Sequence, residues 1–303
     1  ISKQARKTLT KLVKGKILFD EPMRNHTSLH IGGPADALIM PRDEVDLKNL
    51  LNFAKKNDVP LNVIGNGTKL LVSDEGIDGI TVKISGCFDN VIIRGTKVKV
   101  GGGCLLSNLS RLVANHGLSG LEFAVGIPGT VGGGVVMNVG AHGAMMSDVV
   151  TNVIVMNFEG EVQRYMKNDM DFGYRQSRFQ NERCIVLTVK MNLVENNVEK
   201  TGKRMHECIQ WRKEPQPLDL PTAGSVFKNP IGVPAGKLID KAGLKGMMVG
   251  DAKVSEKHAN FIVNLGNATA KDVKGLMNIV QKQVFRKFGI MLETEIKILG
   301  RFN

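Results

Sequence analysis

Apolar residues recur at helical spacing in several stretches of the chain. Between Val45 and Lys56 they fall at Leu47, Leu50, Leu51 and Ala54. Between Leu105 and His116 they fall at Leu105, Leu106, Leu109, Leu112 and Val113, and after Thr269 at Val273, Leu276, Val280, Val284 and Phe288. Each spacing puts an apolar stripe on one face of an α-helix. The end signals agree: Gly117 closes the second stretch, and T-A-K-D opens the third as a capping-box variant. Residues 1–20 carry Leu9, Leu12 and Val13 on one side and predict a short amphipathic helix, and another helix is expected over Lys203–Lys213.

Between the helices lie short β-rich runs at Ala37–Met40, Val59–Ile64, Ile80–Ile84, Val91–Arg94, Lys97–Val100, Val153–Asn157, Glu161–Tyr165, Cys184–Asn192 and Lys253–Asn264. The chain closes on Ile290–Leu299, where Leu292, Ile296 and Ile298 alternate with Glu293, Glu295 and Lys297. That alternation predicts a half-buried strand whose carboxylates face solvent. Many short strands with few helices predict an α+β fold, unlike a regular βαβ alternation. At 194–202 (V-E-N-N-V-E-K-T-G) the composition turns polar, which is where a domain boundary is expected. The expected organisation is a helical segment over 1–24, a larger domain over 25–195 and a smaller one over 200–303.

One stretch breaks the pattern. From Phe123 to Ser147 there is no charged residue, in a chain that is 23% charged. Its length and apolarity would suit a membrane helix. Its glycines, at 126, 129, 132, 133, 134, 140 and 143, each weaken a helix by about 1 kcal/mol, and Pro128 by about 3. Glycine at this density predicts sharp turns, or close approach where no Cβ fits. Bare N–H groups in successive turns form anion-binding concavities, so a phosphate-bearing ligand is the first expectation and a buried turn without ligand the alternative. The segment G-N-G-T-K-L-L-V-S-D after Val59–Ile64 repeats the theme of strand, glycine turn and hydroxyl. It matches neither a P-loop nor a dinucleotide fingerprint. His26 and His30 are four apart among Pro and Gly, which argues against a helical metal pair, and no metal is expected.

Composition narrows the ligand. A formal net charge of +12 attracts anions. Aromatics are only 5% and no basic run occurs, so a small polyanion is expected and nucleic acid is not. The four cysteines lie far apart without a C-x-x-C pair, which predicts reduced thiols and neither zinc nor a disulfide framework. The basic N-terminal residues lack the apolar core of a secretion signal, so a cytoplasmic protein with no membrane partner is expected.

Several loops together resemble a known family. G-N-G-T-K-L-L-V-S, G-L-E-F-A-V-G-I-P-G-T-V-G-G, M-N-V-G-A-H-G, F-G-Y-R-Q-S-R-F, A-G-S-V-F-K-N-P and L-E-T-E-I-K occur in one order between Asn25 and Arg301. They resemble the UDP-N-acetylenolpyruvoylglucosamine reductases of peptidoglycan precursor synthesis. The resemblance implies an α+β fold made of an FAD-binding domain of the vanillyl-alcohol-oxidase (PCMH) type and a smaller α+β substrate-binding domain. It implies non-covalent FAD, NADPH as co-substrate, UDP-N-acetylglucosamine enolpyruvate as substrate, and a monomer. By the same resemblance, Gly65, Asn66, Gly67 and Thr68, with Gly126, Ile127, Pro128, Gly129, Thr130, Gly132 and Gly133, hold the flavin. Arg175, Ser225 and Glu295 are implied as catalytic, and Tyr174, Lys228, Asn229 and Lys237 as substrate contacts. Tyr165 and Tyr174 are the only tyrosines, which resembles the shorter type without an extra tyrosine-bearing loop. Lys69 stands where Asn is usual, as an added charge beside the flavin phosphates, and Ala144-Met145 replaces a common Gly-Glu.

These residue types suit the implied reaction, a two-electron reduction of an enol ether with hydride passing from NADPH through FAD to the methylene carbon. Negative charge then builds on the adjacent carbon and its carboxylate, where a planar, permanently charged fork such as Arg175 lowers the barrier. The intermediate is basic enough for a hydroxyl such as Ser225 to protonate it, with Lys228 stabilising the alkoxide. A nucleophilic Ser225 is disfavoured, because A-G-S-V-F is not the G-x-S-x-G elbow. Glu295 would donate a hydrogen bond if protonated, or orient Arg175 or a water if ionised. Two alternatives stay open. One is an oxygen-using FAD enzyme of the same superfamily, with FAD attached through His26, His30 or His142. The other is a non-catalytic anion or nucleic-acid binder, which explains the charge and the glycines but not Arg175, Ser225 and Glu295 together.

Overall fold

The run I-V-L-T-V becomes the middle of a strand, Cys184–Asn192, that is buried on both faces. Ile185 and Leu187 join one core, and Val186, Val189 and Met191 the other. The parity changes because the register with the neighbouring strand shifts between Ile154 and Val155, a bulge that turns the chain over at Leu187. A strand covered on two sides reads as a continuous apolar run, as this one does.

The computed structural model describes residues 1–302. The chain forms two units. The first takes Ile1–Phe19, Ala37–Asn66 and Gly79–Trp211, and the second takes Asp20–Asp36, Gly67–Asp78 and the chain from Arg212 onward. The polar stretch at 194–202 is not where they divide. A helix, Val198–Lys213, starts inside it and buries Met205 and Cys208 against Ala114 and Val125 of the first unit. Nor do residues 1–24 form a separate helical segment: after the helix Lys3–Leu12 comes a strand, Lys16–Pro22.

The first unit is built around a five-stranded antiparallel sheet in the order Val162–Met166, Val150–Asn157, Cys184–Asn192, Lys97–Gly101, Val91–Arg94. One core lies between this sheet and the helices Leu106–Asn115 and Val131–Val136, through Leu106, Leu109, Val131 and Val135. A second core gathers Leu9, Leu47, Leu50, Leu51, Ile80 and Val82. In it the strand Leu61–Ile64 pairs parallel with Ile77–Lys83, Leu61 opposite Ile80, and so delivers the first glycine turn at the end of a sheet strand.

The second unit carries a four-stranded antiparallel sheet in the order Thr222–Ser225, Phe261–Asn264, Ala252–Val254, Met248–Val249. The run expected as one strand over Lys253–Asn264 is thus two paired strands, with His258 and Asn260 in the turn between them. The helices Ala235–Lys241 and Ala270–Phe288 pack on a core of Leu238, Ile239, Val273, Leu276, Val280 and Phe227. The closing alternation forms a strand only at Lys297–Leu299, which pairs parallel with Leu70–Val72, Lys297 opposite Leu70. Before it the chain makes a single bridge, Phe227 to Thr294.

The capping box reads as expected: Thr269 Oγ1 accepts from Asp272 N at 3.0 Å, and the Asp272 carboxylate accepts from Thr269 N at 2.9 Å. Asp74 adds a second cap that no local pattern announces. Its two carboxylate oxygens accept from Ala270 N and Lys271 N, at 2.8 and 3.1 Å. A carboxylate on the free amides of a helix N-terminus satisfies donors and meets the positive end of the dipole. Asp74→Ala is therefore expected to cost about 0.5–2 kcal/mol, read as a lower urea midpoint at unchanged slope.

Candidate active site

In the first unit two glycine loops meet through the side chains of Asn66 and Thr130, and main-chain bonds tie the second of them to residues 102–106. Asn66 Nδ2 donates to Pro128 O at 2.7 Å, and Asn66 Oδ1 accepts from Ser85 Oγ at 3.1 Å. Leu106 N donates to Gly129 O at 3.0 Å, Val131 N to Cys104 O at 2.8 Å, and Gly132 N to Gly102 O at 2.8 Å. A Cβ on Gly65 would stand 2.6 Å from Thr130 Oγ1, and one on Gly132 3.0 Å from Gly102 O. Gly132 is required because backbone approaches backbone, and Gly65 because the Thr130 hydroxyl, held as a helix cap, fills the space a Cβ would take. The uncharged stretch also contains a six-residue helix, Val131–Val136, despite its glycines. Thr130 caps it, accepting from Gly133 N at 3.1 Å, and its close packing on the sheet outweighs the low helix propensity.

The same loops leave donors over. Among the described residues, no acceptor meets the main-chain N–H groups of Gly65, Asn66, Gly126 or Gly129. Loops with bare amides, few side chains and no charge match the expected anion-holding backbone.

Arg175 also belongs to the first unit. Gly173 and Gln176 exchange main-chain hydrogen bonds of 3.1 and 3.3 Å, so Tyr174 and Arg175 form a two-residue turn, with Arg175 left-handed at φ 53°. A non-glycine residue in that region costs about 1–3 kcal/mol and persists only where its surroundings over-determine it. They do: Gln180 Nε2 donates to Arg175 O at 2.9 Å, and Arg175 Nη2 donates to Gly140 O at 2.9 Å. Asn138 ties the loop that carries Gly140, donating to Gly173 O at 2.9 Å and accepting from Ser147 N at 2.9 Å. Ala144–Met145 form a small hairpin with Gly140–Ala141. Tyr174 is 52% exposed, with its ring centroid 5.3 Å from the Arg175 guanidinium carbon.

Ser225 and Glu295 belong to the second unit, which brings them together through Lys69. Glu295 N donates to Val226 O at 2.8 Å, while Lys69 Nζ donates to Ser225 O at 2.7 Å and lies 2.8 Å from Glu295 Oε1. Only 7% of the Glu295 side chain is exposed, so the solvent-facing carboxylate expected from the alternation is instead buried in an ion pair. The alternation misleads because residues 290–296 are not a strand, and because Lys69 supplies a countercharge that permits burial. Lys69, expected as an added charge, is thus the partner of a carboxylate. Asn260 holds the Ser225 segment from behind, accepting from Phe227 N at 3.0 Å and donating to Phe227 O at 2.8 Å. Lys228 Nζ lies 3.0 Å from Glu293 Oε1, and Asn229 Oδ1 accepts from Ala235 N at 2.9 Å, at the start of the helix that carries the exposed Lys237.

Comparison with known proteins settles the family. A model of FAD binding domains matches residues 35–165, and a model of the C-terminal domain of UDP-N-acetylenolpyruvoylglucosamine reductase matches residues 216–299. The chain is 48% identical, over 95% of its length and 95% of the relative's, to the UDP-N-acetylenolpyruvoylglucosamine reductase of Caldanaerobacter subterraneus subsp. tengcongensis. It is 44% identical to that of Bacillus subtilis over 94% of its own length and 95% of the relative's. The chain belongs to the UDP-N-acetylenolpyruvoylglucosamine reductase family. Among solved structures, the UDP-N-acetylenolpyruvylglucosamine reductase of Thermus caldophilus superposes with a TM-score of 0.81 at 38% identity, covering 95% of this chain and 99% of that one.

The expected architecture is therefore the one found: a PCMH-type FAD-binding domain and the reductase's own α+β C-terminal domain. FAD is the cofactor, and the residues in place fit it. The FAD-binding region spans both glycine loops of the first unit, whose free amides suit flavin and diphosphate acceptors. Among the described residues no helix is long and apolar enough to cross a membrane. All four cysteines are free thiols, and burial pushes Cys184 up to about 11, which keeps it protonated and unreactive. Lys69, Asn138 and Asn260 are the site residues that sequence reasoning did not assign a structural task, because their partners lie far away in the chain.

Gly65→Ala tests whether the glycine loops hold the cofactor. Adding a methyl to a packed contact costs about 1–3 kcal/mol, so loops that shift to relieve Thr130 are expected to hold flavin roughly tenfold or more weakly. The check is flavin absorbance per chain after gel filtration, which needs no turnover. Full flavin retention would show that Gly65 is not at the cofactor.

Proposed function

We propose that the protein reduces the enolpyruvyl ether of UDP-N-acetylenolpyruvoylglucosamine to UDP-N-acetylmuramate, with NADPH as electron source, in cytoplasmic peptidoglycan precursor synthesis. The observation that carries this is the likeness of nearly the whole chain to relatives named for that substrate. FAD, when bound, supplies two-electron hydride chemistry. The main chain at Gly65–Thr68 and Gly126–Gly133 holds it non-covalently.

Arg175 binds the substrate carboxylate, where its fork offers two parallel charge-assisted hydrogen bonds and meets the charge that builds during reduction. Its left-handed turn aims that fork without reorganisation at the moment of reaction. Tyr174 lies against the same substrate. Ser225 Oγ delivers a proton to the carbon that bears the ether oxygen, and the Lys228 ammonium favours the alkoxide left behind. As the carboxylate of an ion pair, Glu295 accepts hydrogen bonds, so its role is to orient a water or substrate hydroxyl, and proton donation falls to Ser225. Asn229 and Lys237 contact the UDP-sugar. The +12 net charge draws in the phosphates of all three ligands.

Anaerobic stopped-flow tests this reading in two halves. NADPH should bleach the flavin bands, and UDP-N-acetylenolpyruvoylglucosamine should restore them in a second mixing step. Reoxidation by oxygen alone, with no response to the enolpyruvyl ether, would point to the oxidase alternative and overturn the proposal.

A further inference from the structure

One ammonium group stands at the centre of the second unit's pair of proposed functional residues. Lys69 is fixed by main chain: Lys297 N donates to Lys69 O at 2.8 Å, at the start of the parallel pairing of Leu70–Val72 with Lys297–Leu299. Its four-carbon stem carries Nζ to 2.7 Å from Ser225 O and 2.8 Å from Glu295 Oε1. A carbonyl oxygen and a carboxylate oxygen both carry negative charge, and the cation they share offsets their repulsion. Without the cation they repel, at a place where the Glu295 side chain is only 7% exposed and water screens little.

The backbone offers a place for that repulsion to act. Ser225 ends its strand directly after Gly224, which is left-handed at φ 72°. The pairing of that strand with Phe261–Asn264 is irregular between Thr222 and Ser225. The strand end that carries the Ser225 hydroxyl is thus held by few regular ladder bonds. Main-chain bonds hold the residues that follow, Val226 N donating to Asn260 O and Glu295 N to Val226 O, both at 2.8 Å, while the Ser225 carbonyl itself accepts from the Lys69 ammonium.

We propose that Lys69 is a positioning residue. By clamping the Ser225 carbonyl to the Glu295 carboxylate, it sets where the Ser225 hydroxyl stands when it gives up its proton. The inference rests on the roles proposed for Ser225 and Glu295 above. Lys69 itself donates no proton and binds no substrate.

The test uses the FAD-loaded enzyme and measures the two half-reactions separately. Lys69→Met keeps the stem and removes the charge. It is expected to retain flavin and to be reduced by NADPH at the wild-type rate. Reoxidation by UDP-N-acetylenolpyruvoylglucosamine should slow about 10²-fold, the effect of misplacing a reacting group by about an ångström, with KM for that substrate little changed. Lys69→Arg restores the charge on a longer, planar group and should recover part of the rate. If Lys69→Met yields no folded holoenzyme, Lys69→Arg carries the test alone, with an intact NADPH half-reaction and reoxidation slowed about tenfold.

Wild-type reoxidation in whichever variant carries the test overturns the inference. So does equal slowing of both half-reactions with lost flavin, which marks a merely structural lysine. A wild-type enzyme that the enolpyruvyl ether cannot reoxidise at all sinks the proposed function itself. A responsive wild type with an equally fast Lys69→Met sinks only the role of Lys69.

Discussion

Ser225→Ala is expected to slow reduction of UDP-N-acetylenolpyruvoylglucosamine by about 10²–10⁴-fold, the usual contribution of a positioned proton donor. Reduction of the flavin by NADPH should stay nearly intact. Hydride transfer from NADPH requires no proton on a substrate carbon, whereas saturating the enol ether does. The fold should tolerate the change. The structure uses the Ser225 carbonyl, which accepts from Lys69 at 2.7 Å, and the main-chain pairing to Phe261, and both survive in alanine. Single-turnover traces of the two half-reactions are the measurement. Equal slowing of both, or of neither, would remove Ser225 from the proton-donor role.

Arg175→Lys is expected to lower kcat/KM for the enolpyruvyl substrate by about 10²–10³-fold, the cost of losing a preorganised donor to developing charge. Lysine keeps the charge but not the fork, so two parallel hydrogen bonds become one. Stability should fall by only about 0.5–1.5 kcal/mol for the lost bond to Gly140 O, because Arg and Lys bear the same cost at φ 53° and the bonds from Gln180 and between Gly173 and Gln176 are untouched. Thermal melting beside steady-state kinetics separates the cases. Full activity in Arg175→Lys would mean that charge alone suffices at this position. A large drop in melting temperature would mean that the 2.9 Å bond to Gly140 O holds the loop, and that Arg175 is structural.

Much of the fold was legible because its signals are local. The stripe at Leu47, Leu50, Leu51 and Ala54 became the helix Glu44–Lys56, and T-A-K-D became a reciprocal capping box at Thr269. The run in Cys184–Asn192 became a strand with those bounds. The glycine loops were legible as close-packed backbone, since glycine at that density predicts sharp turns and close approach. What the glycines do divides in two: Gly65 makes room for the Thr130 side chain and Gly132 for the backbone at Gly102, while amides beside them meet no acceptor among the described residues.

Other features were out of reach for a stated reason. A period of two places Glu295 on the polar side of a strand, but whether a carboxylate can be buried depends on what faces it. Here that is Lys69, which lies 226 positions earlier in the sequence and is brought alongside only when Leu70–Val72 pairs with Lys297–Leu299. Asp74 on the amides of Ala270 and Lys271, and Asn260 on both polar groups of Phe227, belong to the same kind. The division of the chain is another case, because the apolar side of Val198–Lys213 goes to whichever core accepts it, and the polar residues before it carry no record of that choice.

The sequence alone determined the α+β character, most helices and strands, the two glycine loops and the order of motifs that mark the family, because propensity, periodicity and missing side chains act over a few residues. Tertiary structure alone decided that Glu295 is buried, that Lys69 joins it to Ser225, and that a helix forms within the glycine run. Those outcomes depend on desolvation and countercharge between distant segments, and such energies exist only once folding has made the segments neighbours.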